Sequence, residues 1–288
     1  MIKVGIIGHG VVGKNTGKIF SSSPNDIRLL KYDKFKHGIW DSIEEISAVC
    51  DFIFVCLPTP MSSAGQIDLT YIENTLANMA SHIGSNKPII IIRSTAVSGS
   101  CDKYAAFFSN LNIAFVPEFL TEKNPWEDTV NATRIVIGTD SIAIFFAIKS
   151  LFEIFYKNSI QYIHMSRSEA EMYKYACNYM LSMSVLAANE LYFICQAAGI
   201  DYSIIQQNLI YDKRIGSFTV VPGYDGDYGV GGKCFPKDVA ALAYLAKEKG
   251  YSPEFLEKAI EFNLRIRTHH DWLEIPGAIS NCKFGVEK

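Results

Sequence analysis

One cysteine, in the stretch GGKCFPKD at residues 231–238, has the neighbours that a reactive thiol needs. Cys234 follows a glycine pair and a lysine and precedes a Pro-Lys-Asp turn, which places Lys237 and Asp238 close to it in the chain. Cations and helix or turn amides favour the thiolate, which is the nucleophilic form of cysteine. The stretch therefore makes Cys234 a candidate nucleophile.

The other six cysteines lack such neighbours: Cys50, Cys56, Cys101, Cys177, Cys195 and Cys282. Their scattered positions include no CxxC pair, which argues against both a disulfide framework and a zinc site. We expect them to be free packing thiols in a reducing cytoplasm. Packing is also the alternative role for Cys234, although a glycine-rich loop offers little core. The histidines show no ligand spacing, and no metal site is predicted.

A second pair of polar residues lies on one predicted helix. Lys174 and Asn178, in EAEMYKYACNY, are four residues apart and therefore share a helix face. A lysine and an amide on one face can hold an oxygen that becomes an oxyanion. A surface lysine with a long apolar stem is the alternative for Lys174, but its neighbours in the chain are mostly apolar.

The stretch GHGVVG, residues 8–13, has G-x-G-x-x-G spacing between a strand pattern and a helix pattern. In that setting the backbone approaches a pyrophosphate at a helix N-terminus. The residues predicted to bind the cofactor here are Gly8, Gly10, Val11, Val12 and Gly13. Asp33 ends the second strand about 20 residues later, where an acid bonds the ribose hydroxyls and favours NAD over NADP. Lys31 and Lys34 weaken the preference for NAD. The alternative to a cofactor site is that the glycines only form a tight turn and that Asp33 is a solvated loop acid.

The elements that must position these groups follow from hydrophobic periodicity. Short β-branched runs alternate with helical patterns, which predicts a doubly wound parallel sheet, a Rossmann-like α/β domain over residues 1–165. The later pattern predicts an all-helical second domain over residues 166–288. Its first helix opens with a capping box at Ser166 and Glu169 and ends at Gly199. A helix this long and apolar predicts a two-fold homodimer through the second domain.

Composition restricts the class of partner. A chain of 288 residues that is 49% hydrophobic and 20% charged is typical of a globular protein. The formal net charge of -3, without a long basic run, argues against nucleic acid and anionic membranes as partners. The start of the chain lacks the features of a secretory signal, and the apolar run SIAIFFAIKSLFEIFY is too short for a membrane span. These features favour a cytoplasmic protein that acts on small molecules.

Several motifs together resemble the UDP-glucose/GDP-mannose dehydrogenase family over about residues 1–265. They are the strand ends VCLPTP, IIRSTAVSG and FVPEFLTE, the helix EAEMYKYACNY, and the later segments YDKRIG and GVGGKCFPKD. The resemblance implies that NAD takes two hydrides in turn from the C6 carbon of a nucleotide sugar such as UDP-glucose. It implies that an alcohol becomes an acid for polysaccharide biosynthesis, through a thiohemiacetal and a thioester on the cysteine.

The resemblance also assigns roles to individual residues. Glu122 matches the second glutamate of P-E-F-L-x-E, and the resemblance implies that it is the base for the water that hydrolyses the thioester. Asp238 helps to position that water. The predicted catalytic set is Cys234, Lys174, Glu122, Asp238, Asn178 and Thr95. Cofactor contacts outside the glycine motif are assigned to Asp33, Thr59, Thr95, Glu122 and Lys237. Substrate contacts are assigned to Glu118, Lys174, Asn178, Arg214 and Gly231.

These assignments have plainer alternatives. Arg214 is expected to reach the sugar from the neighbouring subunit, and an ordinary surface salt bridge is its alternative. Loop acids and strand-end caps are the alternatives for the glutamates and for Thr59 and Thr95.

The sequence also departs from the family. Its members continue into a second Rossmann-like domain that holds the nucleotide, whereas only residues 273–288 follow the last predicted helix, so we expect a short form without that domain. The loop VPGYDGDYGVGG is also unusually acidic. Two alternatives therefore stay open. One is a two-electron NAD-dependent hydroxy acid dehydrogenase, which uses a helix lysine such as Lys174 and has no use for Cys234. The other is a non-enzymatic NAD-binding relative.

Overall fold

The computed structural model describes residues 1–21, 27–36, 41–121, 123–156 and 160–280. The chain forms two compact units. Unit 1 comprises Met1–Thr59 and Leu69–Lys174, and unit 2 comprises Pro60–Asp68 and Tyr175–Lys288. The functional division of the chain at residue 165 stays a prediction.

A single seven-stranded sheet, with strand order β2-β1-β3-β4-β5-β6-β7, forms the centre of unit 1. The strands are β1 (Ile2–Ile7), β2 (Ile27–Tyr32), β3 (Phe52–Val55), β4 (Ile89–Ile92), β5 (Asn112–Phe115), β6 (Arg134–Gly138) and β7 (Gln161–Met165). Each corresponds to one of the β-branched runs of the sequence, and the doubly wound α/β prediction is confirmed.

In the described ranges, six α-helices connect the strands and four more follow the last strand. Those between the strands are α1 (Val11–Ser21), α2 (Ile43–Val49), α3 (Thr70–His82), α4 (Ser100–Phe107), α5 (Pro125–Val130) and α6 (Ile142–Tyr156). Those after the sheet are α7 (Arg167–Ala198), α8 (Tyr202–Leu209), α9 (Phe235–Glu248) and α10 (Glu254–Ile266). No helix in these ranges is long and apolar enough to cross a membrane.

One strand pair differs from the fully parallel sheet that the sequence predicts. β5 and β6 are antiparallel and pair at Phe115 and Gly138, whereas β6 and β7 are parallel. Among the described residues between β5 and β6, α5 is the one helix. The chain re-enters the sheet from the edge at which it left, so β6 runs antiparallel to β5.

The strands bury both faces of the sheet. Ile7, Val55 and Ile92 belong to a core on one face, and Ile6, Phe54 and Ile91 belong to a core on the other. Helix α6 packs on the second face, where the apolar run predicted as a core helix buries Phe145, Ile148 and Phe152. Parallel strands covered on both faces need such continuous apolar runs.

Helix α7 begins as the sequence predicts. The Ser166 N–H donates to the Glu169 carboxylate at 2.8 Å, and the Glu169 N–H donates to Ser166 Oγ at 3.3 Å, which is a reciprocal capping box. The helix ends at Gly199, whose φ of +70° is the left-handed conformation that glycine adopts readily. Helix α7 therefore carries residues of both units, Lys174 in unit 1 and Asn178 in unit 2.

Candidate active site

The glycine motif forms the turn between β1 and α1. Gly8 has a φ of +87°, and a Cβ at this position would lie 2.4 Å from the Cys56 carbonyl oxygen. A Cβ at Gly13 would lie 1.9 Å from the Gly8 carbonyl oxygen, so α1 approaches the turn too closely for any side chain. A Cβ at Gly10 would meet nothing within 4 Å. The turn therefore fits a dinucleotide, with Gly10 and the first residues of α1, Val11 and Val12, placed to hold its pyrophosphate.

Asp33 lies at the end of β2, beside this turn. Its carboxylate accepts the His9 N–H at 2.7 Å and the Phe35 N–H at 2.9 Å. Burial, together with the charges of neighbouring lysines, lowers the pKa of His9. The acid predicted to select NAD thus also orders the glycine turn, in a setting that is rich in positive charge.

The loops after β3 and β4 are joined by a residue that the sequence analysis did not single out. Ser94 Oγ accepts the Leu57 N–H at 2.7 Å and so ties the segment before Thr59 to the segment before Thr95. Thr59 is buried, and Thr95 is partly exposed. Both threonines therefore lie at the carboxyl edge of the sheet, where open α/β sheets bind ligands.

Lys174 is buried in unit 1 and held by Glu118. Its Nζ donates to the Glu118 carbonyl oxygen at 2.7 Å and lies 3.4 Å from the Glu118 carboxylate. The ammonium also lies 5.3 Å from the centre of the Phe119 ring. The Glu118 carboxylate accepts the Leu120 N–H at 2.7 Å, which fixes the loop after β5. The surface alternative for Lys174 is thereby excluded, since its side chain is only 5% exposed.

A buried glutamate one turn before Lys174 was not predicted from the sequence. Glu171 accepts the Gly99 N–H at 2.6 Å and the Cys101 N–H at 2.8 Å, and so caps the N-terminus of α4 from α7. Burial raises the pKa of Glu171 to about 7. The only available sequence signal was an acid on the buried face of a helix, which identifies no partner.

Cys234 occupies the N-terminal cap position of α9 in unit 2 and is partly exposed. Its carbonyl oxygen accepts the Asp238 N–H at 2.9 Å, which closes the first turn of the helix. The positive end of a helix dipole favours an anion at this position, and helix N-termini are where low-pKa thiols occur.

Asp238 lies one turn into the same helix and joins two predicted site residues. Its carboxylate accepts from Lys237 Nζ and from Asn178 Nδ2, each at 2.5 Å. The side chains of Lys237 and Asp238 are 6% and 1% exposed. Unit 2 therefore brings Asn178, Lys237 and Asp238 together beside the start of α9.

The loop before Cys234 is packed onto a buried arginine. A Cβ at Gly231 would lie 1.9 Å from a nitrogen of Arg267, so only glycine fits this close approach. Arg267 pairs with Asp225 at 2.6 Å and with Asp271 at 3.2 Å, and Asp271 accepts the Gly232 N–H at 2.9 Å. The acidic residues that distinguish this loop are thus its anchors, and hydrogen bonds from backbone amides lower the pKa of Asp227, a further acid of the loop, to about 2.

The remaining predicted residues stand apart from these groups. Arg214 lies on the surface of unit 2 with its side chain 89% exposed, paired with Asp212 at 2.5 Å. The structure thus places it in a surface salt bridge, and its sugar contact stays a prediction. Glu122 and Cys282 lie outside the described residues. No three His, Cys, Asp or Glu side chains of the described ranges are arranged to hold a metal ion.

The cysteines away from the glycine loop are free thiols throughout the described ranges. Burial raises the pKa of Cys50 and of Cys56 to about 12, and it raises the pKa of Cys101 well above its usual value. These thiols stay protonated at neutral pH, in keeping with their predicted packing role.

Comparison with known proteins identifies the family. Residues 36–156 match the NAD binding domain of the UDP-glucose/GDP-mannose dehydrogenase family, and residues 168–265 match its central domain. The chain belongs to this family, and its cofactor is NAD.

The similarity to individual relatives supports this family assignment. The chain is 30% identical to UDP-glucose 6-dehydrogenase TuaD of Bacillus subtilis, over 93% of this chain and 64% of that protein. It is 29% identical to UDP-glucose 6-dehydrogenase AglM of Haloferax volcanii, over 91% of this chain and 69% of that one. It spans only 48% of the UDP-glucose 6-dehydrogenase of Rickettsia bellii.

Solved structures share the fold. A UDP-glucose dehydrogenase of Pyrobaculum islandicum aligns with a TM-score of 0.78 at 23% identity, over 92% of this chain and 68% of that one. The 3-hydroxyisobutyrate dehydrogenase of Mycobacterium tuberculosis aligns with a TM-score of 0.71 at 14% identity, over 92% and 93% of the two chains. The fold is therefore common to enzymes with different substrates.

Proposed function

We propose that the protein is an NAD-dependent dehydrogenase that oxidises the C6 alcohol of a nucleotide sugar to a carboxylate, with Cys234 as the covalent nucleophile. One observation carries the proposal. Cys234 lies at the start of α9, beside a buried Asp238 that binds both Lys237 and Asn178. A cysteine placed for packing alone needs neither a helix N-terminus nor a buried polar network beside it.

The chain's own residues have distinct tasks in this reaction. NAD, when bound at the glycine turn, accepts one hydride in each of two oxidations. Lys174 and Asn178 hold the substrate oxygen as negative charge develops on it, a form of stabilisation that buried donors provide well. Glu118 holds the Lys174 ammonium, and Asp238 holds the Asn178 amide. Each donor is thereby oriented before substrate binds.

The thiol enters after the first oxidation. Cys234 Sγ forms a bond to the aldehyde carbon, and the aldehyde oxygen gains a proton, which gives a thiohemiacetal. Loss of the second hydride and of that proton leaves a thioester. Water then adds to the thioester carbon, the carbon–sulfur bond breaks, and the acid leaves with Cys234 restored. Glu122 is the base that we propose for this water, with Asp238 helping to position it.

Cofactor and substrate contacts complete the proposal. Thr59, Thr95, Glu122 and Lys237 contact the cofactor, and Glu118, Gly231 and Arg214 contact the substrate. No nucleic acid or membrane partner is proposed, and the site of action is the cytoplasm.

We also propose a homodimer formed through unit 2. Large apolar side chains are exposed on its helices and on the loop after them: Met180, Ile194, Ile204, Ile205, Ile210 and Tyr211. Contiguous exposed apolar surface is typical of protein interfaces. Arg214 follows these residues in the chain, and we propose that it reaches the substrate of a second copy. Light scattering should give twice the chain mass of 32.1 kDa, and a monomer would remove the cross-subunit role of Arg214.

A second candidate function is supported by the alignment with 3-hydroxyisobutyrate dehydrogenase, since the two chains cover each other almost completely. A two-electron hydroxy acid dehydrogenase would use Lys174 and leave Cys234 without a task. A non-enzymatic NAD-binding relative would need neither residue.

The test is the stoichiometry of turnover. UDP-glucose, GDP-mannose, UDP-N-acetylmannosamine and 3-hydroxyisobutyrate are each incubated with the full chain and NAD, and NADH and product are both counted. Two NADH per carboxylate from a nucleotide sugar are expected. One NADH from the hydroxy acid alone would establish the two-electron function, and NAD binding without turnover of any compound would favour the non-enzymatic relative.

A further inference from the structure

Unit 1 contains a cavity of about 330 Å³ that the glycine turn does not line. Its walls come from α1, from the segment after β5, from α5 and from α6, and they include Thr16, Phe119, Phe152 and Tyr156. Gly8, Gly10, Gly13 and Asp33 are absent from them. A volume of this size is at the lower end of the range for small-molecule sites.

Two nitrogens of a buried guanidinium that lines this cavity have no hydrogen-bonding partner among the described residues. Arg93, directly after β4, is 8% exposed, and its Nε and one terminal nitrogen have no acceptor in the described part of the protein. Within that part, no carboxylate lies within 4 Å of it. An arginine stays charged in a protein, and a buried charge is costly unless it is paired. The Arg93 guanidinium therefore provides a strong site for an anion.

Neighbouring groups respond to this charge. Burial raises the pKa of Cys56 and of Tyr156, and in both cases the positive charge of Arg93 opposes the rise. The guanidinium also lies 5.9 Å from the centre of the Phe152 ring. The thiol of Cys56, the phenol of Tyr156 and the ring of Phe152 therefore supply no negative charge to Arg93 at neutral pH.

The acids that line the cavity are engaged elsewhere or exposed. Glu118 binds Lys174 and the Leu120 N–H, and Asp128 accepts the Thr121 N–H at 2.7 Å. Glu127 is exposed. A second guanidinium on the wall, that of Arg134, lies 4.5 Å from the centre of the Phe119 ring. The lining therefore combines a cation that needs an anion with aromatic surface that suits an organic group.

We propose that this cavity binds a small organic oxyanion, with the anionic group on Arg93 and the organic group against Phe119 and Phe152. The planar guanidinium fork matches both carboxylate and phosphate oxygens, so the shared chemistry is an oxyanion on a compact apolar body. The glycine turn and Asp33 lie outside the walls of the cavity, whereas Glu118 is shared with the proposed substrate contacts.

The experiment uses the full chain labelled with nitrogen-15 and titrated with phenyl phosphate, benzoate or inorganic phosphate, at ionic strength matched with sodium chloride. We expect phenyl phosphate or benzoate to shift the Arg93 Nε–H resonance and to bind at least tenfold more tightly than inorganic phosphate. Arg93→Met should lose this binding by tenfold or more. Arg28→Met, at an exposed arginine on β2, is the matched control and should bind as the wild type does.

Saturating NAD separates this site from the cofactor site. Binding of phenyl phosphate or benzoate that NAD leaves unchanged supports a distinct site, whereas displacement by NAD overturns the proposal. Equal loss in the Arg28 and Arg93 variants would show nonspecific attraction and would also overturn it. If Arg93→Met fails to fold, the chemical shift of the Arg93 Nε–H in the wild type is the deciding measurement. A chemical shift that neither phenyl phosphate nor benzoate changes overturns the proposal.

Discussion

Within the described ranges, two helix N-termini carry a cysteine, and they differ in what surrounds it. Cys101 is the second residue of α4 in unit 1 and is fully buried. Cys234 caps α9 in unit 2 and is partly exposed. Both thiols lie at the positive end of a helix dipole, but burial and the charge of Glu171 raise the pKa of Cys101.

The carboxylates beside the two helices have different partners. At α4, Glu171 accepts the amides of the first turn, and its charge adds to burial in raising the pKa of Cys101. At α9, the carboxylate of Asp238 is bound to Lys237 and Asn178. We propose that the N-terminus of α9 activates Cys234, whereas the N-terminus of α4 already receives the Glu171 carboxylate.

The largest expected effect is on thiol reactivity. Cys234 should react with iodoacetamide at pH 7.5 about 10³-fold faster than Cys101, because only the thiolate attacks and the pKa of Cys101 is raised. Peptide mapping after timed alkylation measures both rates in one sample. The ratio should approach one in denaturant, and a ratio near one in the folded protein would contradict the comparison.

Neutralising Asp238 should destabilise unit 2. Asp238→Asn leaves the Lys237 ammonium buried without its counter-charge, which costs about 3–5 kcal/mol for a broken buried pair. Urea unfolding measures the loss. The double variant Lys237→Met with Asp238→Asn is the control, and it should recover most of the stability. No recovery would mean that Asp238 acts through another contact.

Glu171 should make stability depend on pH in the opposite sense from an ordinary acid. Its pKa of about 7 in the folded protein exceeds the unfolded value, so the folded state retains a proton that the unfolded state has lost. Stability should therefore fall as pH rises from about 4.5 to about 7, by at most about 3 kcal/mol. Glu171→Gln should flatten this slope relative to Glu169→Gln, its control on the same helix, and parallel profiles would refute the assignment.

The smallest expected effect concerns the glycine turn. Asp33→Asn should raise the ratio of NADP to NAD affinity by about tenfold, since a phosphate would no longer face a carboxylate. Calorimetric titration with both cofactors measures the ratio. Asp51→Asn is the control, because Asp51 also accepts a backbone amide in unit 1, from Lys3 at 2.7 Å. An unchanged ratio would leave Asp33 with only its role in ordering the turn.

The sequence predicted those parts of the molecule that depend on local chemistry. The seven strands, the capping box of α7 and its end at Gly199 all follow from short patterns. The reversal of β6 was missed because no local pattern in the sequence records the direction of a strand. Glu171, Arg93 and Arg267 were missed because their partners, or the lack of them, are set by residues far apart in the chain.

The central claim is that Cys234 is a nucleophile and Cys101 is not. Cys234→Ser and Cys101→Ser are compared with the wild type, and NADH and acid are counted for any nucleotide sugar that the wild type oxidises. We expect Cys101→Ser to keep two NADH per acid, and Cys234→Ser to lose acid formation by at least about 10³-fold while NAD binding persists. Two NADH per acid at an undiminished rate from Cys234→Ser would contradict the account.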